Sequence, residues 1–343
     1  MLTDRQLKIL RLLIDDYIRN AEPVGSRTIS KRKGIPYSPA TIRNELADLE
    51  EMGFLEKPHS SSGRIPSEKG YRFYVDHLLT PFSLHRVELE NIKALFKEKF
   101  YEMEKVIQQT AIILSELTNY TSIILGPELY DTKLKHLQII PLTDEAAVAI
   151  IVTDTGQVEN RTMSIPDGVD VSELEKIINI LNHRLKGVPL TQLRSKVFKE
   201  IASVLSEHIQ NYEQVMKMLE RLFSEEKTEK VYYGGKTKIL SQPEFRDLEQ
   251  VRLLLDAIEE EELIHQLVRS NSGGVEVKIG KENNLQAMEN CSVITASYSI
   301  GGKRMGSIAI IGPTRMTYRK VIGLLDFFSK DLTESLTNRY QSF

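Results

Sequence analysis

The sequence predicts a multidomain chain of the α+β class, and three patterns carry that reading. Residues 1–80 alternate short capped helices with a brief strand-like run and a polar, basic loop. Apolar runs of strand length recur over 121–165 and again over 275–311, flanked by amphipathic helices. Between these halves, residues 188–245 read as mainly helical. A chain of 343 residues has room for two or three such domains.

The first helix opens at the capping box Thr3-Asp4-Arg5-Gln6, with Leu7, Leu10, Leu13, Ile14, Tyr17 and Ile18 as an apolar stripe at helical spacing. A second helix follows, with Ser26 placed to cap it, Arg27 to Lys33 as its body and Gly34 as its stop. A tight connection leads to Ser38-Pro39, a capping serine followed by proline at the first helical position, where the missing N–H costs nothing. The third helix runs to about Met52 and stops at Gly53. Residues 54–57 are strand-like, and His59, Ser60, Ser61, Ser62, Gly63 and Arg64 form a loop before Ile65-Pro66. Helix, turn, helix, strand and basic loop is the order of a winged helix-turn-helix, which presents one helix to a DNA major groove and a loop to the flanking backbone.

The third helix can be assigned face by face. Ile42, Leu46 and Leu49 fall at i, i+4 and i+7 and point inward. A turn of 100° per residue then sets Ala40, Asn44 and Ala47 roughly opposite, with Thr41 and Arg43 flanking. Small residues let a helix approach base edges, Arg forks onto guanine and Asn onto adenine. Asp48, Glu50 and Glu51 crowd the C-terminal half, so the N-terminal half is the end expected to enter the groove. Candidate DNA-contacting residues are therefore Ser26, Arg27, Ser38, Ala40, Thr41, Arg43 and Asn44 on the helices, with His59, Ser61, Ser62 and Arg64 in the wing.

Charge supports nucleic acid locally, not globally. The whole chain carries 45 Lys plus Arg against 48 Asp plus Glu. Residues 25–45 hold Arg27, Lys31, Arg32, Lys33 and Arg43 against Glu45 alone; residues 57–72 hold Lys57, Arg64, Lys69 and Arg72 against Glu68 alone. A single module so weakly charged would bind DNA poorly through phosphates, which argues for two copies on a two-fold site.

Beyond residue 81, a charged helical pattern with Leu89, Ile92, Leu95 and Phe96 on one side predicts a connecting helix over 81–104. Strands are expected over 121–125, 137–142, 146–152 (continuously apolar, as if buried on both faces) and 157–165, then a helix over 171–185. Residues 275–279 form a further strand, and 292–300 and 303–311 flank Gly301-Gly302 as a hairpin. A closing helix over 317–338 aligns Val321, Leu324, Leu325, Phe328, Leu332 and Leu336. Together, 105–187 and 246–343 read as one α+β domain with helices to one side of antiparallel strands. The insertion, 188–245, carries a stripe from Leu193 to Leu222 that reads as one helix of about eight turns. Its apolar face needs either the parent domain or a second copy, and the second copy is the expectation.

The run SPATIRNELADLEEMGFLEKPHSSSGRIPSEKGYRFYVD (38–76) resembles the DNA-binding region of the bacterial heat-inducible transcription repressor family (HrcA). NYTSIILGP at 119–127, VYYGGKTKIL and QPEF within 231–245, and GSIAIIGPTRMTY at 306–318 extend the similarity over nearly the whole chain. The resemblance implies a GAF-like fold for the α+β domain. It also implies repression of chaperone operons through an inverted-repeat double-stranded operator, by a homodimer whose active fold is maintained by the chaperonin.

No phosphate-cradling glycine loop, nucleophile elbow or zinc-ligand spacing is present, so no enzyme, cofactor or metal is expected. The single cysteine, Cys291, fits a reducing cytoplasm, and no apolar run approaches a membrane span. The alternative is a metabolite-responsive winged-helix regulator with a ligand pocket in the α+β domain. A third reading is a scaffold whose winged helix binds protein.

Overall fold

The computed structural model describes residues 2–58, 63–80, 82, 103–126, 132–154, 156, 158–208, 211–223, 230–245, 247–269, 274–300 and 302–340. The chain divides into two compact units, one from 1–126 with 230–334, the other from 127–229 with 335–343. The connecting helix expected over 81–104 falls almost wholly outside the described residues, as do His59, Ser61 and Ser62.

The first unit begins with α1 (Asp4–Asn20), and the capping box forms as expected: Gln6 N–H donates to Thr3 Oγ1 at 3.3 Å, and Thr3 N–H to Gln6 Oε1 at 3.0 Å. Ile9, Leu10, Leu13 and Ile14 are fully buried. Next come α2 (Ser26–Ser30) and α3 (Pro39–Glu51), the strands β1 (Leu55–Glu56) and β2 (Ile65–Pro66), and α4 (Glu68–Phe73), which runs on into a π-turn at Tyr74–Leu78. β1 and β2 pair antiparallel, Leu55 opposite Pro66. Ser26 does not cap α2. Gly25 is the N-cap and makes no side-chain bond, so Ser26 sits inside the first turn.

After α5 (Met103–Thr118) and β3 (Thr121–Leu125), the chain leaves for the second unit: β4 (Leu134–Pro141), β5 (Ala146–Thr153), β6 (Val158–Ser164), α6 (Val171–Leu185), α7 (Leu190–Lys196), α8 (Ala202–His208) and α9 (Tyr212–Leu222). It returns with β7 (Val231–Gly234), α10 (Leu248–Glu259), α11 (Glu261–Val268), β8 (Glu276–Ile279), β9 (Cys291–Ile300), β10 (Lys303–Pro313) and α12 (Tyr318–Tyr340).

Two separate antiparallel sheets result. The first unit holds a five-stranded sheet ordered β7-β3-β10-β9-β8, with Ile123 opposite Ala309 and Tyr233, and Ile294 opposite Val277. Ile123, Leu125, Val293 and Ile311 pack with Leu254, Ile258, Ile264 and Val268 of α10 and α11. The alternate residue Ser122 faces the other way and donates to Ala111 O of α5 at 2.5 Å. Helices therefore cover both faces, not one, which explains why β3 is buried along its whole length.

The strands β4, β5 and β6 do not join that sheet, contrary to the domain expected over 105–187. They form their own three-stranded sheet, with β5 central. Burial alternates along β5, so it is covered on one face only, and its continuous apolarity leaves the other face apolar. The covered face packs with Ile177 and Leu181 of α6, Leu193 of α7, Leu205 of α8, and Val215, Leu219 and Leu222 of α9. The insertion's apolar stripe is thus buried within its own unit, and it is not one helix. A π-turn at Val197–Ile201 links α7 to α8, and Asn211, at φ −97° and ψ 41°, precedes α9. Asn182 ties α6 to β4 by accepting from Leu137 N–H at 2.8 Å and donating to Leu137 O at 2.7 Å.

Candidate nucleic-acid interface

The recognition-helix candidate is α3, and its sequence explains its placement. Ser38 caps it, with Oγ accepting from Thr41 N–H at 3.1 Å and lying 2.9 Å from Thr41 Oγ1, and Pro39 occupies the first turn. Ile42 and Leu49 are fully buried and Leu46 nearly so, which anchors the helix by about 1.5–3 kcal/mol per side chain. Ala40, Arg43, Asn44 and Ala47 are exposed, as the face assignment expects, and Thr41 is half-buried beside them. Ser26 is half-buried, and Arg27 is exposed at the start of α2. Glu45, the one acid among the basic residues of 25–45, is turned inward and pairs with Arg5 at 2.6 Å. Its charge is therefore withdrawn from the face that Arg43 and Asn44 occupy.

The basic residues sort into two groups. Arg27, Lys31, Lys33, Arg43 and Lys57 are exposed and make no ion pair among the described residues. The others are committed inside the protein. Arg32 holds the buried carboxylate of Asp16, Nε to Oδ2 at 3.1 Å, and Lys8 donates to Gly34 O at 2.6 Å. Lys69 donates to Met52 O at 2.8 Å, at the carbonyl end of α3, where a cation is favoured. Arg72 turns away to Glu282.

Arg64, expected as a wing contact, is a mixed case. Its backbone exchanges hydrogen bonds with Val24, 2.9 Å and 3.0 Å, so the root of the wing is stitched to the segment before α2. Its guanidinium grips Glu50 Oε2 through Nε at 2.7 Å and Nη2 at 2.6 Å, and is only 16% exposed. Gly63 permits this approach, since a Cβ there would lie 2.8 Å from Pro23. Glu50, read from the sequence only as a repulsive charge, is the partner that fixes the wing to α3. A basic wing residue facing an acid at the C-terminal end of the preceding helix is the signal that could have revealed it.

Outside this module, Cys291 is fully buried, and burial pushes its thiol up to about 12, so it stays protonated and unreactive. Among the described residues no cluster of three His, Cys, Asp or Glu side chains could hold a metal ion, and no helix is long and apolar enough to cross a membrane.

Comparison with known proteins agrees with this geometry. Residues 1–76 match the family model "Winged helix-turn-helix transcription repressor, HrcA DNA-binding", and residues 104–322 match "HrcA protein C terminal domain". The chain is 59% identical over 341 residues to the heat-inducible transcription repressor HrcA of Halalkalibacterium halodurans, covering 99% of both chains. A solved structure of a hypothetical protein superposes with TM-score 0.71 at 25% identity, covering 99% of this chain and 100% of that one. The chain is a transcription repressor and not an enzyme: it belongs to the HrcA family of heat-inducible transcription repressors.

Proposed function

We propose that this repressor binds, as a homodimer in the cytoplasm, an inverted-repeat operator upstream of chaperone operons, and that the chaperonin maintains its active fold. The observation that carries the DNA reading is the exposed N-terminal face of α3. Ala40 and Ala47 give it a low profile, Arg43 and Asn44 supply base-reading groups, and Glu45, the acid of the N-terminal half, is turned inward. Ser38 and Thr41 at the helix N-terminus, and Ser26 and Arg27 on α2, lie where a phosphate is favoured. Footprinting the purified protein on its own chaperone promoters tests this. Protection of two half-sites related by a two-fold axis is expected; protection of no site rejects it.

Support for the dimer comes from the second unit. On the sheet face turned away from its core, Ile140 and Val158 are 40% and 58% exposed, and Leu142, just past the end of β4, is 60% exposed. Val148, Ile150 and Val152 lie in register between them and are only half-covered. With His136, Gln138, Asn160 and Thr162 beside them, these residues make a mixed face with an apolar strip along β5, which fits a second copy of itself. Ile150→Asp with Val158→Asp is expected to give a folded monomer by sedimentation velocity and to lower operator affinity steeply. Sedimentation of that variant as a dimer rejects the assignment.

A further inference from the structure

Two arginines in motifs that DNA contact leaves unused meet the same junction from opposite sides. Arg72 belongs to the run after the wing, and Arg315 to the loop after β10. Arg72 Nε donates to Glu282 Oε1 at 2.9 Å, Nη2 reaches Glu282 Oε2, and Nη2 also donates to Val277 O at 2.6 Å. Glu282 is itself held, accepting from Ile279 N–H at 2.8 Å. Arg315 runs the other way: Nη1 donates to Ile18 O of α1 at 2.6 Å, while Nε pairs with Glu244 at 2.5 Å. One arginine thus carries the winged helix onto the edge strand β8, and the other carries the sheet domain onto α1.

The contact between them is polar and closely fitted. Lys281 N–H donates to Glu68 Oε1 at 3.3 Å beside Gly280, whose φ of +56° favours glycine. Tyr71 is 3% exposed and packs on Tyr318, centroids 5.9 Å apart. The two arginine forks each bond a carboxylate and a backbone carbonyl at once.

We infer that Arg72 and Arg315 are positioning residues that fix the angle at which α3 is presented, by clamping the winged helix to the five-stranded-sheet domain. The consequence for DNA rests on the dimeric reading above. With both recognition helices held at a set angle, the protein accepts one half-site spacing; with the clamp opened, that angle is no longer set and the spacing requirement relaxes.

The clamp is tested without DNA, in the full-length chain, by spin labels at Glu51→Cys on α3 and Arg252→Cys on α10. Both positions are exposed, and the buried Cys291 does not compete for label. Labelled protein is diluted with unlabelled protein, so that distances within one chain are read. A single narrow distance is expected in the parent, and a broad distribution in Arg72→Ala with Arg315→Ala. Glu282→Gln with Glu244→Gln, which keeps side-chain shape and the acceptor for Ile279 N–H, guards against simple misfolding and is expected to broaden it too. Unchanged narrow distances in both variants overturn the inference. On inverted-repeat DNA whose spacer is lengthened one base pair at a time, the parent is expected to lose affinity at each step. The variants are expected to bind the native spacing about tenfold more weakly but to lose little with each step. A parental spacing profile in the variants also overturns the clamp. Failure of the parent to bind any promoter DNA rejects the dimeric reading instead, and the distances still decide the clamp.

Discussion

Replacing Arg64 by Ala separates two roles that a basic wing residue can have. If Arg64 neutralised a phosphate, its loss would lower the salt dependence of DNA binding; the structure commits its guanidinium to Glu50. Among the described residues, the winged-helix cations without an ion pair or a hydrogen bond are Arg27, Lys31, Lys33, Arg43 and Lys57. With Arg43 given to a base edge, the other four reaching phosphates in both copies of a dimer would make log K fall with log salt at a slope of about −7. Removing one of them from both copies flattens the slope by about 1.8. Between about 50 and about 200 mM salt, that is a roughly twelve-fold smaller loss of affinity. Lys31→Ala should behave this way. Arg64→Ala should leave the slope unchanged, lower affinity equally at every salt concentration, and cost about 1–2 kcal/mol of winged-helix stability through the lost partly buried pair. Fluorescence anisotropy across a salt series, with thermal melts of each variant, measures both. If Arg64→Ala flattens the slope as much as Lys31→Ala does, the assignment of Arg64 to the protein's interior network is refuted.

Other outcomes follow from the same geometry. Arg43→Ala should weaken specific binding by about 1–3 kcal/mol and relax the preference at one base pair, read by competition with single-base operator variants. Cys291 gives a pH test. Burial raises its thiol from 9.0 to about 12, so above pH 9 the unfolded chain releases a proton that the folded chain keeps. Stability should therefore be fully present below pH 9 and fall as pH climbs toward 12. Denaturant midpoints at about pH 8 and about pH 10.5 should differ less in Cys291→Ala, and an identical decline in that variant would argue against it. Heat should act through folding. An unfolding enthalpy near 70 kcal/mol per 100 residues multiplies the unfolding constant roughly forty-fold over about 10 °C. Mild heating should thus make Cys291 reactive to thiol reagent as operator binding is lost, and chaperonin with ATP should restore binding. Loss of binding while Cys291 stays protected would point to the junction rather than to unfolding of the sheet domain.

Much of the fold was legible because its signals are local. The box at Thr3 and Gln6, the Ser38-Pro39 start and the period of residues 171–185 each lie within a few positions of one another, and each formed. The exposed face of α3 followed from helical geometry alone. What could not be read depends on distant pairing. Nothing in 134–164 says which sheet those strands join, because alternation fixes a face but not a neighbour. The stripe from Leu193 to Leu222 stays nearly in phase across the turn at Asn211, so periodicity alone cannot show the break. Arg64 and Arg72 look alike in sequence, as cations beside a basic loop. Their partners Glu50 and Glu282 lie 14 and 210 residues away, and only the folded chain tells them apart.

The chain leaves the first unit at Gly126 and re-enters it at Lys230, and the two are joined by a hydrogen bond from Gly126 N–H to Lys230 O at 2.8 Å. The intervening segment is therefore a closed excursion between hydrogen-bonded neighbours β3 and β7. While that segment is unfolded, pairing these strands means closing a loop of about 100 residues, an entropic cost of about 4 kcal/mol. Once its own three-stranded sheet and helices have folded, most of that cost has already been met. Order of assembly thus follows from connectivity: the inserted unit gains by folding first, and the sheet that carries the winged helix closes last. A repressor built this way is expected to present the edge of β3 until the inserted unit has folded, and an open strand edge is a surface that a folding assistant could hold.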